Sequence, residues 1–351
     1  SINLIYIFYI YSRLNICKNK MSKKNRLKFS TEVEVSDVYN TLTKNYIEII
    51  TDYFELQRIW LNNAYVTFKD LDKYFILMSL VSKTFDSYGE YFIKYNFEQF
   101  YNVSEYELKK FNIVNVAKEL SISKETARRK ILELEKIGII KKNKKAVVIN
   151  RDAYNLQKPT TSIHLISKFL SHLSKLMKAS NIINQEISSL DFELLIKNNY
   201  THCWNYFLKF QIEMLTGFKK KFFKDYETVQ IWAIIVYNQN LSLTKKFKSK
   251  SKLPDKVKDT YLEEILSLTG TLGLNAMTIA DLTGIPRPTV IRKLNFLIKN
   301  KFIEKNNAGL YTLCNSKKLK EVDSFRLENV NKISAMSCKL FNAVRILDKN
   351  L

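Results

Sequence analysis

A segment of about 25 residues occurs twice in this chain, 163 positions apart, and it limits the possible folds more than any other feature. The first copy, VAKELSISKETARRKILELEKIGII, begins at Val116, and the second, IADLTGIPRPTVIRKLNFLIKNKFI, begins at Ile279. The aligned pairs include Ala117 and Ala280, Ile122 and Ile285, Thr126 and Thr289, Arg129 and Arg292, Lys130 and Lys293, and Leu134 and Leu297. Repeats of this kind indicate two copies of one structural unit.

A second match lies upstream of each copy. FKDLDKYFILMSLV at 68–81 resembles FKDYETVQIWAIIV at 223–236, at an offset of 155. The same two motifs therefore occur in the same order twice. This order favours duplication over chance similarity between unrelated helices, and it predicts two units of about 160 residues each.

The repeated segment has the pattern of two helices and a hairpin. In the second copy, a short helix at 278–283 ends at Gly284, which suits a tight turn. Val290, Leu294 and Leu297 then recur at i, i+4 and i+7, the spacing of a buried helix face. Residues 302–305 and 309–313 flank NNAG, a turn-forming sequence, and predict a hairpin. This order is that of a winged helix-turn-helix.

The remaining sequence is typical of a mainly helical protein, with only 7 Gly and 4 Pro. We predict a mainly α fold of two winged helix-turn-helix domains with small β-hairpin wings, plus extra scaffold helices. Helices are expected near 35–60 and 70–84. The predicted boundaries are a first unit at 35–155, a linker around 151–162, a second unit at 163–315 containing a basic loop at 243–258, and a C-terminal helix at 317–351.

Residues 1–20 resemble a targeting segment only superficially. They lack an initiator Met and a charge before the apolar run, and 2–11 is too short to span a bilayer, which needs about 20 residues. Met21 is followed by a polar segment. We expect 1–20 to be an upstream extension outside the fold, and we predict no membrane association.

The charge balance points to a polyanionic partner. Lys and Arg total 57 against 34 Asp and Glu, a net charge of +23. Nucleic acid is the first expectation and an anionic membrane surface the second. A generally basic surface, or codon bias in an AT-rich genome, is the alternative explanation.

Other kinds of chemistry have little support in the sequence. The cysteines at 17, 203, 314 and 338 form no CxxC pair and have no His at ligand spacing. GxxxxGK[ST], GxGxxG and HExxH motifs are absent. We therefore predict no metal, no cofactor and no enzymatic activity, and free thiols that suit a reducing cytoplasm.

Both copies resemble the helix-turn-helix core of bacterial winged-helix transcription regulators of the MarR and GntR type. The resemblance covers about 40 residues in each copy and implies DNA binding through 124–130 and 287–295. Those regulators usually carry one such domain per chain, whereas this chain has two. In that respect it also resembles tandem winged-helix plasmid replication initiators.

The candidate DNA contacts are polar residues on the second helix of each copy and on the first hairpin. Arg suits bidentate contact with guanine, and Lys more often contacts phosphate. The predicted DNA-binding residues are Lys124, Thr126, Arg128, Arg129, Lys130, Lys141, Lys142, Lys144, Lys145, Arg287, Thr289, Arg292, Lys293 and Asn295. FKKKFFKDY at 218–226 could stack on nucleic acid or touch a membrane, but an amphipathic helix with buried Phe is favoured.

The function predicted from the sequence is a double-stranded DNA-binding transcription regulator of the bacterial cytoplasm, associated with the nucleoid. A plasmid or phage replication initiator and a winged-helix protein-interaction adaptor are the alternatives. The amphipathic C-terminal helix offers a face for homodimer formation. The sequence leaves open the DNA site, any effector and the direction of regulation.

Overall fold

The structure is a computed structural model that describes residues 32–109, 112–142, 146–151, 158–248, 257–269 and 272–349. Over these ranges the chain is mainly helical with two small antiparallel sheets, which confirms the predicted mainly α class. No helix in these ranges is long and apolar enough to cross a membrane. The predicted extension at 1–20 lies outside the described residues.

The first half of the chain contains α1 (Val35–Lys44), α2 (Tyr46–Phe68), α3 (Leu71–Glu90), α4 (Phe97–Asn102), β1 (Glu105–Lys109), α5 (Ile113–Glu119), α6 (Lys124–Lys136), β2 (Ile140–Lys142) and β3 (Ala146–Asn150). The helix expected at 35–60 is thus two helices, α1 and α2, separated at Asn45. Strand β1 was not predicted, because the aromatic residues around it do not alternate clearly with polar ones.

The second half contains α7 (Thr160–Ala179), α8 (Ser189–Asn198), α9 (Tyr200–Phe218), a π-helix (Lys219–Phe223), α10 (Tyr226–Lys248), α11 (Val257–Leu266), α12 (Ala276–Thr283), α13 (Arg287–Lys299), β4 (Ile303–Lys305), β5 (Tyr311–Leu313) and α14 (Lys317–Lys349). The prediction of a basic loop at 243–258 was wrong at both ends. Helix α10 continues to Lys248 and α11 begins at Val257, while 249–256 lie outside the described residues.

The two sheets have related topologies. In the first, β3 lies between β1 and β2, and all pairs are antiparallel. In the second, β4 pairs with β5, and Leu274 forms an isolated bridge with Tyr311. In both halves, therefore, a segment that precedes the two short helices pairs with the last strand of the hairpin.

Backbone geometry repeats between the halves at the offsets seen in the sequence. Positive φ angles occur at three aligned pairs: Ser121 (49°) and Gly284 (69°), Gly138 (77°) and Lys301 (58°), and Lys69 (52°) and Lys224 (66°). Each lies where a helix ends or a hairpin begins. The repeat is therefore also present in the turns, where non-glycine residues at four of the six positions adopt a conformation that side chains disfavour.

Helices α3 and α10, which follow the two FKD motifs, meet at their N-terminal ends in the core. Phe75 of α3 stacks on Tyr226 of α10 with ring centroids 4.1 Å apart. Trp60 of α2 contacts Phe75 edge-on at 5.9 Å. These large rings join the two halves in one hydrophobic core.

The apolar stripe of α14 is covered by the chain itself. Val330, Ile333, Leu340 and Val344 are buried, and α14 packs on α1 and α9. Asn342 of α14 also donates to the carbonyl oxygen of Val33 at 2.9 Å. The stripe that suggested a homodimer is thus an internal packing surface.

Part of the FKKKFF segment is also internal. Phe223 is fully buried, as favoured from the sequence, and the π-helix places Lys219 beside it at 4% exposure. The Lys219 ammonium lies 3.6 Å from Asp72 Oδ1 and 4.1 Å from the centroid of Tyr226. This lysine therefore helps to join α3 to the second half of the chain.

The turn at Gly284 provides a test of the fold. A Cβ built there would lie 2.9 Å from Asn62 Oδ1 and 3.0 Å from Val66 Cγ2, so the crowding comes from α2 and not from the next helix. Gly309 has a similar φ of 75° but no neighbour within 4 Å of its Cβ. We expect Gly309→Ala to cost about 1 kcal/mol for the left-handed conformation alone.

Gly284→Ala should cost clearly more than Gly309→Ala, because the collision with α2 adds to the backbone strain. Urea denaturation of both variants measures this difference in the free energy of unfolding. Equal losses would show that α2 does not contact the turn closely.

A second prediction concerns His172 of α7. Its Nδ1 lies 2.8 Å from Asp52 Oδ2 and its Nε2 lies 3.2 Å from Glu48 Oε1, both on α2. The hydrogen bond with Asp52, helped by Glu48 and opposed by burial, raises the pKa of His172 above its ordinary value of 6.5. The charged imidazolium thus stabilises the fold below about pH 6.5, and this contribution is lost as pH rises through the raised pKa.

The free energy of unfolding of wild type and His172→Gln should therefore differ most in mild acid, and the gap should shrink toward alkaline pH. Asp52→Asn removes the main hydrogen-bond partner of His172 and should reduce the dependence of this stability difference on pH. A gap that widens as pH rises would contradict the assignment.

Candidate nucleic-acid interface

Helix α6 has one buried and one exposed face, as predicted. Ser123 caps its N-terminus by accepting from the Thr126 amide at 3.0 Å. Ala127, Ile131 and Leu134 on one face of the helix are buried. The opposite face is therefore turned toward solvent.

Helix α13 is built in the same way. Pro286 precedes it and Pro288 lies in its first turn, where a missing amide hydrogen costs little. Val290, Leu294 and Leu297 are each fully buried, and Ile285 fills the angle with α12. The buried stripe predicted from the sequence is confirmed.

Two aligned lysines anchor these helices to the scaffold. Lys130 of α6 bonds to Asp70, and Lys293 of α13 bonds to Asp225. Lys130 and Lys293 are separated by the offset of 163, and Asp70 and Asp225 by the offset of 155. The same ion pair therefore occurs once in each half of the chain.

This contact corrects the expectation that Lys130 is exposed. The residue is 8% exposed, and its ammonium also lies 3.2 Å from Glu133. Burial alone would lower the pKa of Lys130, but its bonds to Asp70 and Glu133 raise it, so the charge is kept. Lys293 has a side chain that is 15% exposed. Both lysines are therefore held against the scaffold and are largely shielded from solvent.

Each aspartate also caps the N-terminus of a supporting helix. Asp70 accepts from the Lys73 amide at 3.0 Å at the start of α3, and Asp225 accepts from the Thr228 amide at 2.8 Å at the start of α10. Carboxylates are favourable at this end of a helix dipole. One carboxylate thus joins the supporting helix to the helix that carries the candidate contacts.

The two anchors lie in one polar region at the junction of α3 and α10. Glu227 of α10 accepts from the Leu71 amide of α3 at 3.2 Å. Asp72 and Glu227 are themselves aligned by the 155 offset, and Asp72 pairs with Lys219. The two helices that carry the anchoring aspartates therefore contact each other at their N-terminal ends.

The other predicted contacts divide by exposure. Exposed residues are Lys124, Arg128, Arg129, Lys141, Lys142, Arg287, Arg292 and Asn295. Thr126 and Thr289 are half-buried, and Lys144 and Lys145 lie outside the described residues. Each helix therefore has exposed cationic side chains in addition to its anchoring lysine.

Most of these exposed cations have no carboxylate partner. Within the described ranges, Lys124, Arg128, Lys142, Arg287 and Arg292 form no ion pair. Arg129 lies 3.5 Å from Glu133, and Lys141 lies 2.9 Å from Glu105. Such surface pairs contribute little and break easily when an anion competes.

Sequence reasoning missed two features of the candidate site and its support. Leu132 is 54% exposed on α6, at the position aligned with Asn295 of α13. In addition, buried glutamines of α10 hold the second copy: Gln230 donates to the Thr283 carbonyl at 3.2 Å, and Gln239 donates to Thr312 Oγ1 at 3.0 Å. Glutamines within a helical pattern give no sequence signal of such roles.

No protein family, curated protein or solved structure matches this chain. Within the described residues, no group of three or more His, Cys, Asp or Glu is placed to hold a metal ion. Cys203, Cys314 and Cys338 are free thiols, and burial raises the pKa of Cys203 to about 12.

The ion pairs themselves are testable. Asp70→Asn keeps a good N-cap but removes the charge that binds Lys130, so it separates the two roles of this residue. We expect a loss of roughly 1.5–3 kcal/mol in the free energy of unfolding, the range for hydrogen bonds to charged groups. Asp225→Asn should lose a similar amount through Lys293.

A double-mutant cycle with Lys130→Met measures the coupling directly. The loss from Asp70→Asn should largely vanish in the Lys130→Met background. Lys124→Met, on the exposed face of the same helix, should change stability by less than about 0.5 kcal/mol. Additive losses from Asp70→Asn and Lys130→Met would rule out the anchor.

Proposed function

We propose that this protein is a sequence-specific double-stranded DNA-binding regulator that uses α6 and α13 as recognition helices. The observation that supports this most strongly is the duplicated presentation of unpaired cations. Arg128 and Lys124 on α6, and Arg287 and Arg292 on α13, are exposed, while the opposite face of each helix is buried and ion-paired. A major groove about 12 Å wide admits one such helix.

Each half is proposed to be a winged helix-turn-helix unit. Three features support this assignment: two short helices joined through a positive-φ residue, a following hairpin, and a preceding segment that pairs with the hairpin's last strand. In such units the N-terminal residues of the second helix reach base edges, and the hairpin lies along the backbone. Supporting helices α3 and α10 would then fix the direction of each recognition helix.

The two units are proposed to contribute unequally to DNA binding. The first hairpin carries exposed Lys141 and Lys142, whereas β4 and β5 carry Glu304 beside Lys305. Lysine near the backbone supplies charge without reading sequence. We expect the first unit to contact more phosphate groups than the second. We expect the DNA site to be an imperfect or asymmetric pair of half-sites.

A replication initiator is the second candidate, because both units lie in one chain and share one polar junction. An initiator would select direct repeats and open adjacent AT-rich DNA, whereas a regulator would protect a promoter-proximal site without melting it. Selection of bound DNA from a random pool, followed by permanganate reactivity of the selected sites, separates the two.

The base-reading role of α13 gives the sharpest mutational test. Arg292→Ala should weaken binding to the selected site by roughly 1–3 kcal/mol and leave random DNA nearly unaffected, if Arg292 reads a base. Lys142→Ala should weaken both DNAs alike and reduce the slope of log affinity on log salt by about 1. Fluorescence anisotropy across a salt series measures both quantities.

The matched control is Lys175→Ala, which removes an exposed lysine from scaffold helix α7 and should change neither affinity. Equal losses on selected and random DNA for Arg292→Ala would reject base reading. A salt slope near zero in the wild type would favour the protein-interaction adaptor, since phosphate contacts release counterions.

A further inference from the structure

A cavity of about 130 Å³ lies where the end of the first half of the chain meets the start of the second. Helices α2, α3, α4, α7 and α9 and strand β1 contribute to its walls, together with Arg151, Lys158 and Pro159. The lining is partly aromatic and partly polar, and none of its described residues is an aspartate or a glutamate. A cleft lined by charges of one sign attracts ions of the opposite sign, so this cavity favours an anion.

Two cationic side chains of the lining lie beside the same aromatic ring. The guanidinium carbon of Arg151 lies 5.0 Å from the ring centroid of Tyr101, and the Lys158 ammonium lies 5.5 Å from it. Arg151 Nε also donates to the Val103 carbonyl at 3.2 Å, which fixes the direction of the guanidinium. Because like charges this close repel each other, an anion bound beside both would relieve the repulsion.

Neither cation is neutralised by a buried carboxylate. Within the described ranges, Arg151 forms no ion pair, and its two Nη atoms have no hydrogen-bond partner. Lys158 lies 3.3 Å from Glu98, but the side chain of Glu98 is 70% exposed, so water screens this pair. The guanidinium fork is therefore free to bind two oxygens of one ligand.

A buried hydroxyl adds a neutral donor to the lining. Ser162, in the first turn of α7, is 3% exposed, and its hydroxyl has no hydrogen-bond partner in the described part of the chain. Helix α7 also has no side-chain cap and no acidic residue in its first turn. Its N-terminal amides therefore add positive potential on the side of the cavity where Ser162 lies.

The hydroxyls of Tyr101 and Tyr200 leave one more donor. Their oxygens lie 3.1 Å apart, and both residues line the cavity. Only one of the two O–H groups can donate within the pair, so the other hydrogen requires a different acceptor. Burial raises the pKa of Tyr101 to about 12, so its hydroxyl stays protonated at neutral pH.

We propose that this cavity binds phosphate, as the free ion or as the end group of a small monoester, with Arg151 and Lys158 as counter-ions. Ser162 and one tyrosine hydroxyl donate to the remaining oxygens. A cavity of about 150 Å³ holds the six carbons of benzene, so the space here suits the five heavy atoms of phosphate. This inference is independent of the proposed DNA binding.

The test uses inorganic phosphate as the probe, titrated into the full chain by calorimetry at constant ionic strength, with chloride as the blank. Phosphate should bind saturably and raise the melting temperature. Methyl phosphate separates the two sources: affinity equal to that of phosphate assigns a monoester, and a much lower affinity assigns the free ion. Dimethyl phosphate models the nucleic-acid backbone and carries one charge, so it should bind at least about tenfold more weakly than phosphate.

The contribution of the guanidinium is measured with Arg151→Met. This variant should bind phosphate at least about tenfold more weakly, the loss expected for one charge-assisted hydrogen bond. The matched control is Lys175→Met, which removes an exposed lysine about 20 Å farther along α7 from Ser162. It should leave phosphate binding unchanged, which separates the site from the general positive charge of the protein.

A second variant keeps the test decisive if Arg151→Met fails to fold. Ser162→Ala removes a hydroxyl without a protein partner, so the free energy of unfolding without phosphate should stay nearly unchanged, while phosphate binds at least about threefold more weakly. Undiminished phosphate binding by either folded variant would overturn the proposal. So would equal affinities for phosphate and dimethyl phosphate, or no saturable binding by the wild type at about 10 mM.

Discussion

The ion pairs between Asp70 and Lys130 and between Asp225 and Lys293 hold α6 and α13 against the core of this structure. Each joins the first turn of a core helix to a helix whose far side faces solvent. A partly buried pair of this kind is costly to form and costly to break, so it favours one orientation over alternatives. The two aspartates lie at the N-terminal ends of α3 and α10, which contact each other, so both ion pairs connect their helices to the same core.

The sequence predicted much of this architecture, because a helix face and a repeat are both periodic signals. The buried residues of α13 and the hairpin around Asn306 to Gly309 follow from spacing and turn chemistry alone. Strand β1 and the extension of α10 to Lys248 did not follow, since β1 is short and the lysines at the end of α10 resemble a loop.

The structure corrects the exposure expected of Lys130 and Lys293, since both side chains are largely buried in ion pairs. Exposure cannot be assigned to a lysine from helical spacing when its long side chain can reach a carboxylate on another element. The same two opposite charges occur in each half of the chain, because Asp70 and Asp225 are duplicated along with Lys130 and Lys293. The free cations that remain carry the functional proposal.

Hydroxyl-radical footprinting of the full chain on its selected DNA tests the central claim most directly. The account predicts two separate protected patches, one lost when Lys124 and Arg128 are replaced and the other when Arg287 and Arg292 are replaced. A single patch that both sets of replacements weaken equally, or protection that neither set alters, would contradict the claim that α6 and α13 each occupy a groove.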